Sequence, residues 1–302
     1  MSEIFILIPV NNRKTLTHRC LSCLNQQTYK KKGIIVIDDG STDGTSDMIS
    51  NEFREVTILR GDGNLWWTGA INLGLGYALP KAKNNDFILT LNDDVQFSPT
   101  YLYELIESAL RHPDSLIGSI NITNGPDQII ADGGVRINWL TAKYIELLKN
   151  CRYDSLLLSN RHLVSVDFLP GRGTIIPVKV FQMIGSYNSH LLPHYSADYE
   201  FSHRARKNGF GLFINYKAVL TNTADDDYYN KSGHDLKSFF SIKSANNFTY
   251  RWRFAYLVCP KFYAPVFFLL DTFRVLIGTF LKNIIRSGPG KRPITGSWPT
   301  SR

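Results

Sequence analysis

Short apolar runs recur through the first 91 residues: "EIFILIP" (3–9), "GIIVIDD" (33–39), "VTILRG" (56–61) and "DFILTL" (86–91). None alternates apolar with polar residues, so each predicts a strand buried on both faces. Between and after them lie segments with helical spacing. Residues 13–27 carry Leu16, Cys20, Leu21, Cys23 and Leu24, and further helices are expected at 69–79 and at 99–111 behind Pro99. Ser41, Thr42 and Asp43 offer N-caps for another. A strand-helix-strand rhythm of this kind packs as a parallel sheet with right-handed crossovers. The expected fold class is therefore α/β: doubly wound, mostly parallel, with helices on both faces.

Such sheets bind ligands beyond the carboxyl ends of their strands. Here those ends read Pro9-Val10-Asn11-Asn12, Asp38-Asp39-Gly40-Ser41 and Asn92-Asp93-Asp94. Adjacent carboxylates repel unless a positive group lies close by, and a hard divalent cation suits oxygen ligands. A capped turn before Ser98-Pro99 explains one such end, but three on one edge favour a metal. No G-x-G-x-x-G or P-loop follows the first strand, which argues against a dinucleotide cofactor; "GLGYAL" (74–79) lies late in a helix. The net charge of +8 and pI of 9.2 call for an anionic partner: nucleotide phosphates, nucleic acid or a membrane surface. No nucleic-acid motif is present. Cys20 and Cys23 lie within one helix with no second pair, so they read as core positions and not a zinc site. No signal peptide is recognised ahead of the first strand, and a reducing cytoplasm is expected.

Past residue 120 the pattern is less regular. Gly133-Gly134 and "PGRGT" (170–174) punctuate short strands, 178–184 reads as a short helix, and "SADYEFSHRARKNGF" (196–210) as a helix capped by Ser196 and stopped at Asn208-Gly209. From about Asp235 to Ser287 helix-compatible segments rich in aromatic and basic residues follow, then a tail, 288–302.

Taken in order, "ILIPVNNR", "GIIVIDDGSTDGT", "GNLWWTGAINLGLGYAL", "LTLNDDV" and "ADYEFSHRARKNGF" resemble the family-2 glycosyltransferases of the GT-A fold, most of all the bacterial branch with rhamnosyltransferases and polysaccharide-building enzymes. The resemblance covers roughly residues 3–225. It implies a nucleotide-sugar donor (UDP- or dTDP-sugar, dTDP-rhamnose among them), a Mn2+ or Mg2+ cofactor and an inverting transfer. By position, Pro9, Asn11 and Asp39 would line the nucleobase pocket, with Asp39 accepting from a pyrimidine N3–H. Asp93 would face the ribose and Asp94 would ligate the metal, while Asn92 occupies the first position of the usual D-x-D. Asp198 matches the catalytic base. The implied organisation is a catalytic domain over 1–234, with a donor half to about 120 and an acceptor half beyond, then a helical extension over 235–287 and the tail.

The chemistry of the residues points the same way. Displacement at an anomeric carbon needs positive charge on the leaving diphosphate and a base for the acceptor hydroxyl. Inversion places that base on the opposite sugar face, so Asp198 suits better than a neighbour of Asp94. An N-terminal helix charge is the alternative for Asp198. Glu200 points elsewhere on the same helix and is assigned, with Arg172, to the acceptor side. Trp67 or Trp66 is expected to line the site by stacking on sugar, and Gly69 with Ala70 to let the helix start approach a phosphate. Two departures from the family stand out: Ala197 precedes the base where an acid is usual, and no His follows the next strand until His234; Asn222 stands near that place, and Asp225–Asp227 read as a solvated loop before a metal contribution. Between 251 and 286 no apolar stretch is long enough to span a bilayer, so the extension is either an interfacial element on an anionic leaflet or a helix pair packed on the catalytic domain. The expected enzyme extends a surface polysaccharide such as O-antigen, on a glycan or lipid-linked glycan, at the inner face of the cell membrane. A nucleotide-sugar-binding subunit without catalysis and a sugar-1-phosphate nucleotidyltransferase are the competing expectations.

Overall fold

The apolar runs become strands β1 (Ile4–Val10), β2 (Lys32–Asp38), β3 (Thr57–Arg60) and β4 (Phe87–Thr90), lying parallel in the order β3-β2-β1-β4 in a computed structural model. The structure describes residues 2–154, 162–222, 239–242, 244 and 246–287, with side chains as far as 278. Helices α1 (Lys14–Asn25), α2 (Thr45–Glu52) and α3 (Trp66–Ala78) make the connections. Side chains alternate across a strand, and here each set meets a different layer. Ile4, Ile6, Ile8 and Val10 pack with Cys20, Leu21 and Leu24 of α1 and Met48 and Ile49 of α2. Phe5 and Leu7 pack with Ala70, Ile71 and Leu75 of α3 on the other face. The sheet is thus covered on both sides, as continuous apolar runs require.

The chain continues through β5 (Val95–Gln96), α4 (Tyr101–Arg111), β6 (Ser115–Ile122), β7 (Ile130–Asp132), a hairpin of β8 (Val135–Asn138) and β9 (Lys143–Glu146), then β10 (Leu163–Ser165), β11 (Thr174–Pro177), α5 (Val178–Ile184), α6 (Ala197–Lys207) and β12 (Gly211–Asn222). β11 inserts between β4 and β6 and runs against both, with Thr174 opposite Thr90 on one side and Gly118 on the other. β6 and β12 resume the common direction, and the sheet reaches ten strands.

Some boundaries differ from the sequence expectation. α3 begins at Trp66 and not at Gly69, and α4 at Tyr101, beyond Pro99. Ser196 precedes α6 with φ 65° and makes no side-chain cap bond. Instead Asp198 Oδ1 accepts from its neighbour's amide, Tyr199 N, at 2.9 Å.

Two further helices, α7 (Phe248–Val258) and α8 (Ala264–Ser287), form the C-terminal part. Phe254 and Val258 of α7 join the cluster that holds Phe201 and Ala205 of α6. Ala255 and Cys259, with Ala264, Phe267 and Phe268 of α8, pack on Trp139 and Tyr144 beside and within the β8–β9 hairpin. Arg251 pairs with Asp271, and Arg274 donates to the carbonyls of Thr141, at 2.7 Å, and Ala142. The inner face of this helix pair is thus packed on the rest of the chain. Its outer stripe, with Leu269 66% and Phe273 62% exposed, is left uncovered among the described residues. No described helix is long and apolar enough to cross a membrane. Asp225–Asp227, His234 and the tail lie outside the described residues.

Candidate active site

The strand ends converge as the topology demands, but the contacts redistribute several roles. Asp39, expected to meet a nucleobase, is buried. Its carboxylate accepts from three amides of the loop before α3: Gly63 at 2.8 Å, Leu65 at 3.0 Å and Trp66 at 3.1 Å. Those bonds fix Trp66 at φ 56° and explain the early start of the helix. Asn11 Nδ2 donates to the Asp39 carbonyl at 2.6 Å, and Pro9 is half-buried beside it at the end of β1. Asp38 turns to the other face and accepts from Ser41 N at 2.8 Å and from the Ser46 hydroxyl. A cavity of about 290 Å³ lies there, lined by Asp38, Ser41, Thr42, Asp47 and Arg60.

The paired acids are met by Arg13, a residue the sequence reading did not single out. Its guanidinium donates to Asp93 Oδ1 at 2.6 Å and to Asp94 Oδ2 at 3.3 Å. Thr17 Oγ1 adds a bond to Asp93 Oδ2 at 3.3 Å. Asp93 is therefore turned toward α1 in this structure. Burial pushes its carboxyl up to about 6, with Arg13 opposing and Asp94 adding to the rise. The clue in the sequence was an arginine at the end of the first strand, on the same sheet edge as two acids. Asp94 is 2% exposed, in the turn between β4 and β5. Among the described residues no group of three or more His, Cys, Asp or Glu forms a metal cage. One carboxylate with substrate phosphates completing the shell is a donor set that Mg2+ and similar hard cations accept, so Asp94 fits that role.

The two tryptophans part company. Trp67 turns inward: its Nε1–H donates to Asn92 Oδ1 at 3.2 Å, and its ring meets Tyr187 edge-on at 5.5 Å. Trp66 lies against His194, with ring centres 5.6 Å apart. Gly69 sits inside the first turn of α3 and donates its amide to Leu65 O at 3.0 Å, so that amide is not the phosphate donor expected of a helix start.

Across the site, Asp198 opens α6. Its Oδ2 accepts from Gly171 N at 2.8 Å, and burial raises its pKa while the amides of Gly171 and Tyr199 oppose the rise. Glu200 is drawn away from the acceptor side expected for it: it is buried and forked to Arg204 at 2.8 and 3.2 Å. Arg172 Nη2 donates to Asn121 at 3.0 Å when that amide is oriented to give its own N–H to Leu220 O.

A doubly wound, mostly parallel sheet with acids beyond its strand ends is the architecture of the GT-A glycosyltransferase fold. The chain belongs to glycosyl transferase family 2, whose model matches residues 5–156. It is 27% identical over 113 residues to the glycosyltransferase GlyA of Streptococcus pneumoniae (36% of this chain, 15% of that one). It is 28% identical over 101 residues to the N-acetylglucosaminyl-diphospho-decaprenol L-rhamnosyltransferase of Mycobacterium tuberculosis (32% of this chain, 33% of that one). These matches span well under half of either relative. The fold is similar to GalNAc-T7 solved with UDP, GalNAc and Mn2+ (TM-score 0.61, 15% identity, 96% of this chain, 58% of that one). TarS of S. aureus is also similar (0.53, 13%, 93% and 92%).

Proposed function

We propose that the chain is an inverting glycosyltransferase that moves a sugar from a UDP- or dTDP-linked donor, such as dTDP-rhamnose, to a lipid-linked glycan of a bacterial surface polysaccharide. The observation that carries this reading is Asp198: a half-buried carboxylate at a helix N-terminus, held by two backbone amides, with its pKa raised by desolvation. A base must be ionised yet avid for a proton, and burial opposed by amide donors sets that balance.

Asp39 spends three amide bonds on its loop, which leaves about one of a carboxylate's four acceptor positions for a nucleobase N3–H. Asp94 would hold Mn2+ or Mg2+, with the donor diphosphate supplying further oxygens. Bound there, the cation would neutralise charge on the leaving group. Arg13 adds a fixed guanidinium at the same edge. Arg172 is left on the acceptor side. The mycobacterial relative's name supports a lipid-linked acceptor and a rhamnosyl donor, and the apolar stripe of α8 supports peripheral contact with the inner face of an anionic membrane.

The test is transfer from a panel of UDP- and dTDP-sugars with added Mn2+ or Mg2+, alongside calorimetry of the nucleoside diphosphate. Asp198→Asn should bind donor as wild type but transfer about 10²–10⁴-fold more slowly. Asp94→Ala should lose the metal-dependent part of binding. Near-normal transfer by Asp198→Asn would remove it as the base.

A further inference from the structure

Trp67 and Gly171 are the two residues whose contact joins the donor edge to the candidate base. A methyl group built on Gly171 would meet the indole carbons Cζ2 and Cη2 at 2.1 and 2.5 Å, so the ring lies flush on the Gly171 backbone. The same indole is tied by Nε1–H to Asn92 Oδ1 at 3.2 Å, two residues before Asp94. Its edge rests on Tyr187, which Asn72 grips twice: Nδ2 donates to Tyr187 O at 2.8 Å, and Oδ1 accepts from Tyr187 N at 3.1 Å. Tyr187 in turn stacks on Phe201 at 4.3 Å, one turn along α6 from Asp198. The indole is thus held by Asn92 and by the braced Tyr187, and it presses on the residue whose amide meets Asp198 Oδ2 at 2.8 Å.

We propose that Trp67 is a positioning residue: its indole, anchored to Asn92, holds the Gly171 amide on the Asp198 carboxylate. The proposal rests on Asp198 being the base. The amide does two things at once. It orients one carboxylate oxygen, leaving the other lone pairs for an acceptor hydroxyl, and it stabilises the ionised form that burial disfavours. Displacing it leaves a base that is misaligned and harder to ionise. A sugar-stacking wall, the role first expected of a tryptophan here, would act through donor affinity instead.

Gly171→Ala and Trp67→Phe in the full chain separate these roles. Each should lower kcat about tenfold or more and leave nucleoside-diphosphate affinity with Mn2+ within twofold. Each should also move the acid limb of the kcat–pH profile upward by about one pH unit, as expected when a hydrogen bond to the charged form is lost. Adding Gly171→Ala to Trp67→Phe should cost much less than in wild type, because the smaller ring makes room for the methyl. An unmoved pH limb, strictly additive losses, or a fall in donor affinity matching the fall in kcat would overturn the proposal. A carbon-13 titration of the Asp198 carboxyl, identified by its absence in Asp198→Asn, tests the positioning without any transfer assay. An unchanged midpoint in Gly171→Ala refutes the positioning itself. A shifted midpoint with no transfer from any donor by the wild-type chain would fault the assigned activity and leave the positioning standing.

Discussion

Arg13 places one cation against two carboxylates, and its removal shows how each is held. Asp93 has a folded-state pKa of about 6, above the ordinary carboxyl value. A raised pKa means that the folded state favours the protonated form, so its contribution is present below about pH 4 and lost as pH climbs through about 6. Arg13 limits that loss. Arg13→Gln should therefore destabilise the chain by up to about 3 kcal/mol at pH 8 and by less at pH 5, read from urea midpoints. Equal losses at both pH values would mean that the arginine serves packing alone. At this scale the sequence showed which residues stand at the strand ends, because that follows from run length and topology. It could not show what each side chain touches. Asp39 is consumed by amides 24 to 27 residues away and Asp93 by an arginine 80 residues away, pairings no local pattern records.

Helix α6 joins the candidate site to the C-terminal helices through Phe201 and Ala205, and the ring of its His203 packs on Trp139 and Phe168. Burial is the main reason its pKa falls to about 4; Lys207 and Arg206 push the same way and Asp167 opposes them. A lowered histidine pKa means that the unfolded chain binds the proton first, so stability is full above about pH 6.5 and is lost as pH falls toward 4. With solvent screening allowed for, the loss by pH 5 is about 1 kcal/mol, or about 2–4 °C in Tm. His203→Phe should remove this acid sensitivity in thermal scans at pH 7 and pH 5. A variant with the wild-type slope would place the acid sensitivity elsewhere. The strands of the first half were legible because burial on both faces leaves an unbroken apolar run. The start of α3 was not, since a distant carboxylate and not a local cap decides it. Ser196 misled in a similar way: it has the composition of a cap but a left-handed backbone, and Asp198 serves the first turn instead.

For the molecule as a whole, α7 and α8 are seated on the β8–β9 hairpin and on α6, so deleting them would uncover Trp139 and Tyr144 and confuse binding with folding. Substitutions on the outer stripe avoid this. Leu269→Glu with Phe273→Glu should abolish sedimentation with phosphatidylglycerol vesicles at unchanged Tm. If the wild-type chain does not sediment with them, the stripe does not meet a membrane. The insertion of β11 carries a different consequence. β4 finds its second neighbour only 84 residues later in the chain, at Thr174, and β6 reaches the rest of the sheet through that same strand. A nascent chain that has emerged only as far as β6 holds the sheet β3-β2-β1-β4 with a bare edge at β4, and a β6 with none of its partners yet made. Closure of such long loops slows folding, and open edges invite pairing with other chains. The chain before and after residue 120 is thus one sheet and not two folding units: a single late strand commits both parts together.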